Sequence, residues 1–560
     1  MSLSFCMKDK NSPRLIDYIC FVGKKNPSRN GRPISQPELL RIYPPQNHTD
    51  FALPNDIVYF CQPEGCYSTS SRSFLLDPRH SAGRLPQNIK MEFFTFMLTD
   101  KESNIVRFGI CLNFLRPIGR RKSSYTSRIT RRRIKSFKNA VSKMAEEKSP
   151  TRIHSCDTPV DSCSSSDSSD FLGSLSVDKP DRPYTHTLTS ICLVSRYQFF
   201  KKFEKCLRFL YALIQKLHEG CKPRIFGRQT VWSVLTGAIE NPELLTVRKS
   251  VEEIDTWILR LLSTPAPLAG KTTVHVYLQP PELGQPIIFA LPDGNRFSLV
   301  DYSLCLPLRL LGAEKFLKVF FAMLLEQKVV LESSHHDRLT TCVLAFTSLC
   351  YPLQYLFTVI PLLPSSLKGA EQYLTEDAVI LQAPSPYIIG LPRSFRDSRL
   401  SFQLPKDVLL IDLDTQEFYG QAAQEPIPKL PQAEEKKLLS QLNRVLAGLN
   451  GIGEEPIDQG EKKSSSGLSK LSSFDQLALA MDEESLNLAI RIAMVLFFKS
   501  PNVLGGFTEH TRTVRIYPRP VVAFQYERFM KSRPEPSPFT VVLAKTQKSL
   551  NDNTPKPGKQ

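Results

Sequence analysis

The sequence predicts an α/β architecture followed by an all-helical module, and three observations carry that expectation. The first third alternates short apolar runs with polar turns, the pattern of an antiparallel sheet. The middle third alternates helix-length and strand-length apolar segments, which suits a mostly parallel sheet covered on both faces. After Pro431 the apolar residues recur at helical spacing. With 560 residues and 41% hydrophobic content, the chain exceeds the roughly 250–300 residues at which one core stops growing, so two or three domains are expected.

In chain order, Leu15–Val22 and Asp56–Cys61 read as buried strands. Glu92–Leu98 and Val106–Phe114 follow, separated by the polar stretch Thr99–Asn104, which is the sequence form of a hairpin. From about residue 116 to 184 a basic run gives way to a Ser- and Asp-rich tract with too little apolar mass to fold, so an inserted disordered loop is expected. Strand character resumes at Thr187–Val194, and Phe203, Leu207, Leu210, Tyr211 and Ile214 then form one helical stripe. The insertion therefore interrupts a single domain, spanning 14–270.

Across 288–430 the order is helix Ala313–Gln327, strand Val329–Glu332, helix Arg338–Cys350 and strand Leu356–Ile360, with further strands at Tyr387–Gly390 and Val408–Leu413. The third module, 432–548, has helices at Glu434–Leu449 and Glu484–Lys499 around a flexible break at 450–473, and 549–560 is a polar tail.

Composition excludes several classes. No apolar core of a secretory signal stands in residues 1–30, and the 13 Cys lack C-x-x-C spacing, which argues for a cytosolic, disulfide-free protein. Leu339–Leu367 holds no charge, yet Pro352, Pro361 and Pro364 interrupt it, so a buried helix plus strand is expected rather than a membrane span. The net charge of +17 is concentrated: Arg116 to Lys143 holds eleven Lys or Arg and no acid, which leaves the folded parts nearly balanced and argues against a nucleic-acid binder.

Catalytic patterns are missing. Gly270-Lys271-Thr272 resembles the end of a phosphate loop, but Pro265 stands where its first glycine belongs. His335-His336 read as loop residues, and Cys61 and Cys66 as thiols flanking a tight turn after a strand rather than as metal ligands. No cofactor or metal is expected, and an enzyme that makes bonds is not indicated.

A family resemblance then enters. Leu324–Ser333, Tyr351-Pro352-Leu353, Ile360–Pro364 and Ala383–Gly390 together resemble the central module of the tripartite DENN family. Asp17-Tyr18 with Phe60–Gly65 resembles the upstream module, and Phe498–Phe524 the downstream one. Glu38–Pro44, Arg491–Val495 and His510–Phe524 carry a closer likeness to one member of that family. The resemblance implies a longin-like first lobe, an α/β second lobe with helices, and a Rab-family small GTPase, GDP-bound or nucleotide-free, held between them for nucleotide exchange in vesicle traffic and exocytosis. It equally admits a non-catalytic scaffold in MAP-kinase and death-receptor signalling.

Strand ends in α/β sheets gather ligands, so Ser333, Ser334 and Asp337 are candidate partner contacts, with helix capping by Ser334 or Asp337 as the alternative. Pro352, Pro361, Pro364, Pro386 and Gly390 read as turn-formers. In the basic run, Arg120, Arg121, Lys122, Arg131, Arg132 and Arg133 are candidate contacts to an anionic membrane, and Ser123 and Ser124 are candidate phosphorylation positions. A cytoplasmic, peripherally membrane-associated protein is the expectation.

Overall fold

The computed structural model describes residues 14–27, 33–70, 91–100, 105–118, 184–221, 229–279, 284–294, 296–366, 385–397, 404–451, 482–515, 521–533 and 535–552. The chain begins with β1 (Tyr18–Gly23), β2 (Ile34–Ser35), β3 (Glu38–Tyr43), helix α1 (Ile57–Cys61), β4 (Cys66–Thr69), β5 (Glu92–Thr99), β6 (Val106–Pro117) and β7 (His186–Ser195). These seven strands form one sheet, in the order β2-β4-β7-β1-β3 with β6 and then β5 on the other side of β7. The pairings are antiparallel. All six residues of β1 are buried, which explains its unbroken apolar run.

Two expectations about this sheet hold and one does not. β5 and β6 pair as a hairpin from Glu92↔Asn113 to Thr99↔Val106. β6 and β7 pair as far as Pro117↔His186, so residues on either side of the predicted insertion are direct neighbours in one sheet. Residues 57–61, however, are helical rather than extended. Ile57, Val58 and Cys61 are the buried positions, one face of a single turn, and five apolar residues in a row do not by themselves discriminate helix from strand.

Helix α2 (Phe200–Gly220) lays Phe203, Leu207, Leu210 and Ile214 into the core, as its stripe predicted. α3 (Val231–Leu235) and α4 (Leu245–Leu262) follow, and then a hairpin of β8 (Thr273–Val276) and β9 (Ile287–Ala290) that sequence reading did not anticipate.

The second sheet has the order β11-β12-β10-β13-β14, from β10 (Lys328–Ser333), β11 (Thr358–Ile360), β12 (Tyr387–Pro392), β13 (Val408–Asp412) and β14 (Glu417–Tyr419). β10, β11, β12 and β13 are mutually parallel and β14 is antiparallel, as the alternating pattern implied. Helices α5 (Leu306–Leu324), α6 (His336–Leu349) and the short α7 (Arg393–Asp397) connect or flank these strands. The described part of that uncharged stretch, residues 339–366, thus holds most of α6 and β11, and among the described residues no helix is long and apolar enough to cross a membrane.

Gly390 corrects the turn-former reading. It lies inside β12 beside Leu331, and a Cβ there would stand 2.0 Å from the carbonyl oxygen of Pro361. The residue permits backbone to approach backbone rather than permitting a turn.

The C-terminal part holds α8 (Gln432–Gly451), α9 (Glu483–Lys499), a hairpin of β15 (Thr511–Arg515) and β16 (Val521–Phe524), then α10 (Tyr526–Lys531) and α11 (Pro538–Asp552). The hairpin corrects the all-helical expectation: three of the five residues of Thr511–Arg515 are β-branched, which favours extended chain. Phe321 of α5 packs on Phe497 of α9 and Phe539 of α11, at 5.6 and 5.0 Å between ring centroids. One contiguous buried cluster runs from Leu15 through both sheets to Ala544.

Candidate functional site

The two sheets meet where α6 begins. A ladder of aromatic rings crosses the joint, with Phe108 against Phe200 at 5.4 Å and Phe200 stacked on Tyr302 at 5.3 Å. That ladder lies toward the far end of α6, where Tyr302 Oη meets Ser348 Oγ at 2.6 Å; at the start of the helix, His336 Nδ1 lies 2.8 Å from Glu92 Oε1 of β5, its Nε2 lies 3.9 Å from Glu64, and its ring packs on Phe94. The joint continues through residues 365–366. Ser365 Oγ and the Ser366 amide donate to the Pro63 carbonyl at 2.9 and 2.8 Å, and Ser366 Oγ donates to the Gln62 carbonyl at 3.1 Å. His336 is therefore a buried structural residue rather than a loop residue.

Glu92 illustrates the electrostatics. Burial opposes its ionisation, but the charge and hydrogen bond of His336 outweigh this and hold its carboxyl below the usual value. Asp337, next along α6, behaves oppositely. Its crowded setting and the neighbouring charges of Glu204 and Glu92 push its carboxyl up to about 6 although the side chain remains exposed.

At the carboxyl ends of the parallel strands, Glu332 of β10 and Asp412 of β13 are paired in register and both fully buried. Arg396 reaches Glu332 at 3.1 Å and Arg393 reaches Asp412 at 3.2 Å, so α7 carries the countercharges. Buried carboxylates require such partners. Asp412 Oδ1 also accepts from the Asp414 and Thr415 amides at 2.8 and 3.2 Å, which shapes the turn after β13.

The structure brings Ser333 and Ser334 together at this turn and separates Asp337 from them. Ser333 Oγ donates to Asp414 Oδ1 at 2.9 Å, and the Ser334 amide donates to Asp414 Oδ2 at 2.6 Å. Burial opposes the ionisation of Asp414, but these donors hold its carboxyl low. The capping alternative does not hold. The residue preceding α6 is His335, and no side chain caps the helix there; Asp337 instead occupies the first turn, facing the Glu92 side of the joint. His336, Glu92, Arg393 and Arg396 escaped the sequence reading. The available signal was position alone, His336 lying three residues past a parallel strand.

Gln62–Gly65 is a tight turn, closed by a 2.9 Å bond from the Gly65 amide to the Gln62 carbonyl, but it follows a helix. Cys61 lies buried with Cys20, Cys111 and Cys192, the last three in register on β1, β6 and β7, and burial pushes the Cys192 thiol up to about 11. They are packing residues. Among the described residues, no group of His, Cys, Asp and Glu is placed to hold a metal. Arg120, Arg121, Lys122, Ser123, Ser124, Arg131, Arg132 and Arg133 lie outside the described residues.

A DENN (AEX-3) domain model matches residues 186–416, and a uDENN domain model matches residues 37–114. The chain belongs to the DENN-domain family. Its DENN match begins at β7 and runs across the joint to the turn after β13, so His336 and the Glu332–Asp412 pair fall within it, while the His336 partners Glu92 and Glu64 fall within the uDENN match. Similar proteins include the MAP kinase-activating death domain proteins of Mus musculus, 38% identical over 97% of this chain, and of Caenorhabditis elegans, 36% identical over 97%. That of Drosophila melanogaster is 34% identical over 96%. The chain spans about a third of the length of these relatives.

Proposed function

We propose that this chain is a guanine-nucleotide exchange factor that promotes GDP release from a Rab-family GTPase in vesicle traffic and exocytosis. The observation that carries the reading is the DENN match over 186–416, which bridges the two sheets rather than lying within one. An exchange factor acts by binding the nucleotide-free GTPase more tightly than the GDP-bound one, and by reciprocity GDP weakens its grip by the same factor. It acts as a GTPase regulator and performs no covalent chemistry of its own. The upstream lobe is read as longin-like over 14–270, the core as 288–430 and the downstream module as 432–548. The GTPase rests on both lobes, with Ser334 and Asp337 exposed at the head of α6 as contacts and Ser333 as the buried support beneath Ser334. Arg116 is buried in β6, and the basic run beyond it, from Arg120 to Lys143, tethers the cytoplasmic protein to an anionic membrane, each Lys or Arg near the surface contributing on the order of 1 kcal/mol, and phosphorylation of Ser123 and Ser124 weakens the tether.

The deciding experiment is release of labelled GDP from a panel of exocytic Rabs at substoichiometric chain. Many turnovers per chain are expected, and release no faster than from Rab alone across the panel overturns the reading. A second reading, a non-catalytic scaffold in MAP-kinase and death-receptor signalling, is favoured by the name of the relatives. It predicts at most one Rab affected per chain.

A further inference from the structure

A second cluster of charged side chains lies at the opposite end of β1, away from the α6 joint. Arg14, Arg107 and Arg196 converge on one carboxylate, Asp50. Arg14 Nη2 donates to both Asp50 oxygens at 2.8 and 2.9 Å, Arg196 Nη2 donates to Oδ2 at 2.6 Å, and Arg107 Nη2 stands 3.6 Å from the same oxygen. Arg107 is fully buried, with its guanidinium 3.8 Å above the Phe51 ring. Its Nε donates to Asp17 at 3.2 Å, yet neither Nη1 nor Nη2 makes a hydrogen bond. Leaving buried charged donors unsatisfied is costly, so this pair of donors is an anomaly for a purely structural ion cluster.

The loop that supplies Asp50 is fixed independently of its carboxylate. Tyr18 Oη donates to the Phe51 carbonyl at 2.6 Å and accepts from the His48 amide at 2.7 Å, while the Phe51 amide donates to the His48 carbonyl at 3.3 Å. Asp50 itself keeps 27% of its side chain exposed. Rotation of that one side chain into solvent would open three guanidinium groups without unfolding the loop.

We propose that Arg14, Arg107 and Arg196 form a binding site for a phosphate monoester, which Asp50 occupies as an internal stand-in. Asp17 already accepts from Arg14 Nε and Nη2 at 3.2 and 3.1 Å and from Arg107 Nε, so the Asp50 carboxylate offers two oxygens and one charge to three guanidinium groups that carry two charges still unmatched. A phosphate offers three acceptor oxygens and nearly two charges, one oxygen for each arginine, and gives the buried Arg107 donors the acceptors they lack. A free carboxylate ligand would only repeat what Asp50 already does.

The test uses the full chain and its Asp50→Asn variant, titrated with inorganic phosphate at fixed ionic strength. The variant is expected to bind at least roughly tenfold more tightly than the native chain, because the competing internal ligand is gone. Adding Arg107→Met is expected to abolish that gain, and Arg14→Gln or Arg196→Gln at the rim to reduce it. Equal affinity of the native and Asp50→Asn chains, or a gain that survives Arg107→Met, overturns the proposal. Should the variants fail to fold, the carboxyl carbon resonance of Asp50 in the native chain gives the answer: phosphate at fixed ionic strength is expected to shift it relative to matched chloride as the side chain leaves the arginines, and no shift overturns the site. Two further arms, soluble inositol trisphosphate and vesicles with or without a phosphatidylinositol phosphate, assign the phosphate to a soluble ligand or a lipid headgroup.

Discussion

His336 and Glu92, 244 positions apart in sequence, meet at 2.8 Å across the joint between the two sheets. Glu92 is crowded yet keeps 38% of its side chain exposed, so screening holds the pair's contribution to about 1 kcal/mol. Because the folded carboxyl titrates below its ordinary 4.5, this contribution is present above that pH and is lost as pH falls through the lowered value. Glu92→Gln should therefore lower the melting temperature near neutrality, and the difference should vanish once the pH falls below the lowered value, in thermal unfolding followed across pH. A constant offset at all pH values would remove the ion pair from the explanation.

Asp337 gives the opposite slope. Its folded carboxyl holds its proton up to about 6 against 3.8 ordinarily, so the folded state binds more protons in that window and stability falls as pH rises through it. Asp337→Asn should raise the melting temperature at neutral pH and match the native chain below 3.8. If Asp337 also touches the GTPase, the same variant slows GDP release while the protein is more stable, a combination that simple loss of fold does not produce.

Gly109 and Gly390 separate two kinds of close approach. A Cβ on Gly109 would stand 2.1 Å from the Phe96 ring of the neighbouring strand, whereas on Gly390 it would meet the Pro361 carbonyl at 2.0 Å. A ring can rotate away at the cost of repacking, about 1–3 kcal/mol, while a backbone carbonyl cannot. Gly109→Ala should fold with reduced stability, and Gly390→Ala should lose more in denaturant unfolding. The reverse order would contradict the packing of β11 against β12.

Removal of residues 119–183, with the ends rejoined by a short Gly/Ser linker, should leave the melting temperature within a few degrees of native. Pro117 and His186 are already partners, so the linker closes a hairpin that exists. Soluble exchange should persist and exchange on anionic liposomes should slow. Equal rates on liposomes with and without the segment, at low and moderate salt, would leave it a spacer.

The strands were legible where burial on both faces writes a continuous apolar run, as in β1 and β13. Helix α1 was not, because Ile57-Val58-Tyr59-Phe60-Cys61 satisfies either period over so short a length. β8 and β9 are four residues each, too short for alternation to register. The position of Ser333 and Ser334 at the carboxyl end of β10 was legible because a strand end is a local feature. Glu92, Arg393 and Arg396 were not, because their partners are set by tertiary contacts that no local spacing encodes.

The cluster of buried side chains that continues from Leu15 to Ala544 makes the joint part of the interior rather than a seam between separate bodies. To swing one lobe against the other would pull Phe200 off Tyr302 and Phe94 off His336, exposing ring surface to water. A partner that docks across it consequently meets a preformed mould. Little of its binding free energy is lost to ordering this chain, and nearly all remains available to reshape the partner.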